Sequence, residues 1–275
     1  MSALAGPQEL SAEERAAVEA FLETLADDEF VVAERYTEWQ VRGPTLEADI
    51  AIANIAQDEY GHARLWYDLL MDFGYEEPDL IWERSPDEFR HSTLVEQPFA
   101  RGDWADAVCR TFLYDSYEHL LLEALADSSY PRIRDRVAKV QGEEAYHREH
   151  AQNWLERLCE SEDGKTRVQD ALDRLFPHAL TLFAPTEEED AIVELGIRPV
   201  TLPQLQEDWL AVVTPFFESL DLDVPDAQSV DLPAVRGRDG SHTNSWRKLY
   251  NEFTYTYELL DRSEARRLMR DPDDV

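Results

Sequence analysis

Glu59-Tyr60-Gly61-His62 and Glu144-Ala145-Tyr146-His147 are the two stretches on which the fold of this chain turns. Each sets a carboxylate and an imidazole three residues apart, so on a helix both side chains share one face. Each is preceded, at nearly the same distance, by another acid: Glu29 before the first and Asp115 before the second. In an antiparallel helix pair, residues equally far from the loop lie at one height. The midpoint of Glu29 and Glu59 is Pro44, within Gly43-Pro44-Thr45, and that of Asp115 and Glu144 falls within Asp127-Ser128-Ser129-Tyr130-Pro131. Both are turn sequences. The spacing therefore predicts two helical hairpins, each with three ligand-type side chains at one level. That is the ligand set of a carboxylate-bridged two-metal site in a four-helix bundle.

Chance has to be weighed, because acids are abundant here. A third Glu-x-x-His occurs at Glu88-Phe89-Arg90-His91, but Ser85-Pro86-Asp87-Glu88 reads as a capping box and the motif has no mirror across a loop. The other two stand out by the faces they occupy. Val18, Leu22, Leu25, Glu29, Val32, Tyr36 and Trp39 step by threes and fours, one apolar stripe holding a single carboxylate. The second helix repeats this with Ile52, Ile55 or Ala56, Glu59, His62 and Trp66. The fourth does so with Ile133, Val137, Val140, Glu144, His147, Ala151 and Trp154. The third reads Val108, Phe112, Asp115, His119, Leu122, with His119 as one additional polar residue. Carboxylates are costly to bury unpaired, so four at one level require cations or protons.

Composition fits one soluble globular unit, with 275 residues and 43% hydrophobic content. No apolar run approaches the roughly 18 residues that would span a bilayer. The N-terminus lacks the basic and apolar segments of a secretory signal, and the expected location is cytoplasmic. Fifty-nine acidic against 26 basic residues give a net charge of −33, with Lys139, Lys165 and Lys248 as the lysines. Spread along the polar faces, these acids suggest a salt-adapted surface. They leave no basic stripe for nucleic acid. Cys109 and Cys159 have no metal-type spacing and read as reduced thiols.

The predicted organisation is all-α and a single domain over 1–275, with a bundle core at about 11–160 and a helical extension at about 165–270. Helices are expected over 11–41, 45–73, 103–127 and 131–160, with the long crossover at 74–102. Further helices are expected at 165–182, 187–195, 202–220 and 245 to about 270, with a loop over 221–241. Four carboxylates and two imidazoles without a thiolate suit iron or manganese better than zinc or copper(I). Asp58 and Glu143 are candidate outer-shell supports for the histidines. Tyr60, Tyr114, Tyr117 and Tyr146 flank the ligands, as packing residues in the first instance or as a radical site.

Several segments together carry a resemblance: Glu38-Trp39-Gln40-Val41-Arg42-Gly43-Pro44, the run from Ile52 through Asp58-Glu59-Tyr60-Gly61-His62 to Arg64, Leu94-Val95-Glu96-Gln97-Pro98 and Phe112-Leu113-Tyr114-Asp115. In these the chain resembles the phenylacetic acid catabolic proteins, ferritin-like subunits of the multicomponent phenylacetyl-CoA epoxidase (monooxygenase), over nearly its whole length. The resemblance implies a ferritin-like bundle, two iron ions (or manganese) and O2-dependent ring epoxidation of phenylacetyl-CoA or a similar aryl acyl-CoA. It also implies a separate reductase, other oxygenase subunits as partners, and an oligomer. The catalytic subunit's metal ligands carry onto Glu29, Glu59, His62, Asp115, Glu144 and His147. The Glu96-Gln97-Pro98 region and general layout are similar to the structural subunit, whose ligands are mostly replaced. A non-catalytic subunit whose metal only stabilises the bundle is thus the alternative. Ferritin-type iron storage and a radical-generating subunit rank below it.

Overall fold

The computed structural model describes residues 3–98 and 103–260. Among the described residues all regular structure is helical. Helix α1 (Ala12–Thr37) starts where Ser11 and Glu14 form a reciprocal capping box. It ends four residues before the expected position 41, because the chain must reverse ahead of Pro44. Residues 38–41 turn instead, with Val41 in the left-handed region at φ 62°, and the Gly43 N–H donates to Asp49 (2.6 Å). Helix α2 (Leu46–Met71) is capped by the Thr45 hydroxyl, α3 (Trp104–Leu125) by the Asp103 carboxylate, and α4 (Pro131–Cys159) opens on a proline at its first turn. Helices α1 and α2 form one hairpin, α3 and α4 the other, and the hairpins meet to make the bundle.

The crossover holds a single π-helical turn (Pro78–Trp82) and a short 3-10 turn (Pro86–Glu88), the latter closed by the expected Ser85–Glu88 box. Helices α5 (Glu162–Ala179), α6 (Glu189–Glu194), α7 (Leu202–Ser219) and α8 (Asn244–Leu259) complete the described chain. The expected reach of the last helix, to about 270, goes past position 260 and there lies outside the described residues. Helices α5 and α7 lie on α3, which is consequently buried on nearly every side.

Three consecutive acids on α1 are buried: Asp27, Asp28 and Glu29. Successive helical residues point about 100° apart, so each meets a different environment. Asp27 pairs with Arg84 and accepts from the Tyr67 hydroxyl (2.7 Å) and the Arg90 N–H (2.6 Å). Asp28 pairs with Arg238 (2.5 Å) and accepts from the Ser92 N–H (2.7 Å). Glu29 receives neither guanidinium. Arg238 reaches Asp28 because Gly237 (φ 83°) lies flat against the His91 carbonyl, where a Cβ would collide with main chain.

The same two segments, 89–96 and 236–246, meet at a second buried cluster. Glu96 accepts from the Thr243 N–H (2.9 Å), and its other oxygen lies 3.0 Å from His91 Nε2 and 3.2 Å from His242 Nδ1. The two imidazoles stack at 4.2 Å between centroids, 21° from parallel. Both ring nitrogens turn to one Glu96 oxygen and the other oxygen takes the Thr243 N–H, so the carboxylate is fully engaged and staples the two segments together. Burial and the neighbouring His242 bring His91 down to about 4. Burial opposes ionisation of Glu96, but hydrogen bonds from His242 and His91 outweigh it and hold the carboxyl at about 2. Both values lie below the ordinary ones of 6.5 and 4.5. The stability they supply is therefore present at neutral pH and declines as pH falls, through His91 first and then Glu96. As pH falls from about 6 to 4, the protection of the 236–246 amides, taken relative to their intrinsic exchange rate, is expected to drop ahead of α3, and to stay level in His91→Gln. Equal exchange in both proteins across that range would remove the staple's role.

Candidate metal centre

The four expected helix stripes face one another, and their polar members meet in the middle. Glu29 is 3% exposed; Glu59, His62, Asp115 and His147 are fully enclosed, and Glu144 is 2% exposed. Glu59 and Glu144 lie between the imidazoles. His62 Nδ1 is 3.6 Å from one Glu59 oxygen and 3.2 Å from Glu144 Oε1. His147 Nδ1 is 3.5 Å from the other Glu59 oxygen and 3.1 Å from the same Glu144 Oε1. Each of these carboxylates thus serves both histidines, whose ring centroids are 6.3 Å apart.

The outer nitrogens are held across the bundle. His62 on α2 meets Glu143 on α4 (Nε2 to Oε2, 2.8 Å), and His147 on α4 meets Asp58 on α2 (3.3 Å). Sequence reasoning picked out Asp58 and Glu143; the pairing is crossed between hairpins. An acid on Nε2 fixes each ring and leaves Nδ1 to the interior, as outer-shell acids do for metal-binding histidines.

Potential ligand atoms of Glu29, Glu59 and His62 lie within 4.8 Å of one another, as do those of Glu59, Glu144 and His147, and those of His62, Glu118 and Glu144. Asp115 is fully buried and feels the charges of Glu144, Glu59 and His147, but it lies outside these tight groups. Glu118 is a member that the sequence reading missed. That reading put His119 in the α3 stripe. His119 is in fact one-third exposed and faces Glu123 (3.5 Å), while Glu118 is buried in the cluster. A residue three or four places after Asp115 satisfies helical period equally, and α3 has no polar face to choose between them.

The donor set suits cations. Both oxygens of Glu59, Asp115, Glu118 and Glu144, Glu29 Oε2, and Nδ1 of both histidines have no hydrogen-bond partner in the protein. Buried polar groups are normally satisfied, so this concentration marks the place where counter-charge belongs. Burial, then the neighbouring acids, hold Glu29, Asp115 and Glu118 well above the carboxylate range. Burial disfavours the His62 imidazolium, yet Glu144 and Glu59 push it up to about 11, and His147 is raised in the same way. With protons as the sole counter-charge the cluster holds them tightly, and divalent cations would displace them. Cys109 is buried, Cys159 half-buried, and both are free. No helix among the described residues is long and apolar enough to cross a membrane.

Fold and cluster together define a ferritin-like helical bundle with a buried carboxylate–histidine centre. The chain matches the model of the phenylacetic acid catabolic protein family over residues 1–265, and it belongs to that family. Two subunits of the Escherichia coli K12 1,2-phenylacetyl-CoA epoxidase are similar to it. With the one designated C it shares 31% identity over 244 residues, 88% of this chain and 96% of that relative. With the one designated A it shares 25% identity over 193 residues, 68% of this chain and 62% of that relative.

Proposed function

We propose that this chain is a di-iron oxygenase subunit that takes part in O2-dependent ring epoxidation of phenylacetyl-CoA, or a similar aryl acyl-CoA, in aerobic aromatic catabolism. The observation that carries the reading is the convergence of Glu29, Glu59, His62, Asp115, Glu144 and His147, with their inward atoms unpartnered. Two ferrous ions bound there would supply the electrons that dioxygen activation needs. Glu59 and Glu144 face both positions, and the two histidines present one nitrogen each. Asp58 and Glu143 keep those rings from turning, and the buried Leu25 and Trp66 wall the Glu29 side of the cluster. The kinship with epoxidase subunits supports other oxygenase subunits as partners, and the reading adds a separate reductase to them.

One observation favours the second reading, a non-catalytic subunit whose metal only stabilises the bundle. The cavity against Glu29 and Glu118, walled by Trp66, Tyr114, Tyr117 and Leu122, has a volume of about 10 Å³. That is room for about one water and not for an aromatic ring. The deciding experiment supplies iron anaerobically in high salt and then admits oxygen. About two irons per chain that oxidise rapidly, followed by acyl-CoA turnover with partner subunits and reductase, is the expected result. Iron that is bound yet inert to oxygen supports the stabilising role, and absence of bound iron removes both readings.

A further inference from the structure

Helix α3 turns two carboxylates inward where hairpin symmetry requires one. Asp115 answers to Glu29 of the first hairpin. The position answering to Glu118 is three residues past Glu29, and it is Val32, buried and apolar. Glu118 therefore breaks the repeat between the two halves. It is 3% exposed, no basic or main-chain donor reaches either oxygen, and it stands against Glu29 with Glu144, Glu59 and His62 close by. Its carboxylate closes a tight group with His62 and Glu144, a closeness that Asp115 does not reach with any of them. A carboxylate present only to fill space would be expected to find a donor, as Asp27 finds Arg84 and Asp28 finds Arg238.

We propose that Glu118 is a fifth cation-holding carboxylate, on the His62 side, and that it makes the two metal positions unequal. The His62 position is enclosed by Glu29 and Glu118 in addition to the shared Glu59 and Glu144. The His147 position has Asp115 with the same shared pair. The His62 position is accordingly the one that fills first and releases its ion last, since each added carboxylate raises the affinity of an oxygen-rich site. The inference rests on the metal-binding reading above, and its test separates the two.

The full-length metal-free chain is titrated anaerobically with Mn2+, followed by the electron-spin resonance of the free ion, and in parallel with Co2+, followed by visible absorption. The wild type is expected to take up two ions in two resolved steps. Glu118→Gln is expected to weaken the tighter step by at least the 10- to 100-fold that loss of an outer-shell partner costs, and to change the cobalt spectrum of that step. Glu118→Asp, which keeps the charge but draws the oxygens back, should fall between. His119→Gln, one residue away and outside the cluster, should match the wild type. Thermal melts of the metal-free proteins confirm that each variant is folded. If the wild type binds two ions and Glu118→Gln binds them with unchanged constants and spectrum, this inference is overturned and the metal-binding reading stands. If the wild type binds neither ion, both are overturned.

Discussion

Glu59→Gln and Glu144→Gln are each expected to bring bound metal from the proposed two ions per chain to fewer than one, with at least a 100-fold loss of affinity, about 3 kcal/mol. The reason is their place between the histidines. Glu59 turns one oxygen to His62 and the other to His147, and Glu144 Oε1 lies within 3.2 Å of both Nδ1 atoms. Removing the charge from either weakens both positions at once. Asp115→Asn removes a carboxylate from one side and should leave the other able to bind. In the metal-free protein Glu59 and Glu144 are also the partners that keep His62 and His147 protonated, so these variants should melt lower than the wild type even without metal. Metal analysis and calorimetric titration check this. Two ions retained by both glutamine variants would show that the cations, if bound at all, are held elsewhere.

Arg238→Leu should cost 3 to 5 kcal/mol, roughly the penalty for leaving one member of a buried ion pair alone, and lower the melting temperature by roughly 10 °C. Arg238 also donates to the carbonyls of Arg90 (2.7 Å) and Thr24 (3.4 Å), so the loss is not of charge alone. Adding Asp28→Asn removes the stranded carboxylate and should restore more than half of the loss. Arg15→Ala, which breaks the exposed pair with Glu19 and a bond to the Phe73 carbonyl (3.0 Å), should change stability far less. Differential scanning fluorimetry of the four proteins reads the comparison. A drop below about 1 kcal/mol for Arg238→Leu would mean that Asp28 finds another partner or a proton at no cost.

Much of this architecture is local and therefore legible in the chain. Helical period, the Ser11 and Ser85 capping boxes and the turns at Gly43-Pro44 and Ser128–Pro131 all act over a few residues. They place four helices and six of the clustered side chains. Two things escaped. The choice between Glu118 and His119 depends on how α5 and α7 wrap α3, because a helix buried all round has no polar face to set its rotation. The role of His91 depends on Glu96 and on His242, far along the chain, and nothing near Glu88–His91 announces that partner. Asp27 and Asp28 read as ordinary acids of a polar face for the same reason: their guanidinium partners come from residues 84 and 238.

That last dependence has a bearing on how the chain matures. Synthesis runs from the N-terminus, and all four bundle helices have left the ribosome well before Arg238 does. Through that interval Asp28 has no guanidinium to face, and the helix that bears Glu29 carries an unbalanced acid beside it. Residues 236–246 supply the partner that Asp28 lacks until they arrive. The order of translation thus puts the pairing of Asp28 after the synthesis of all four bundle helices.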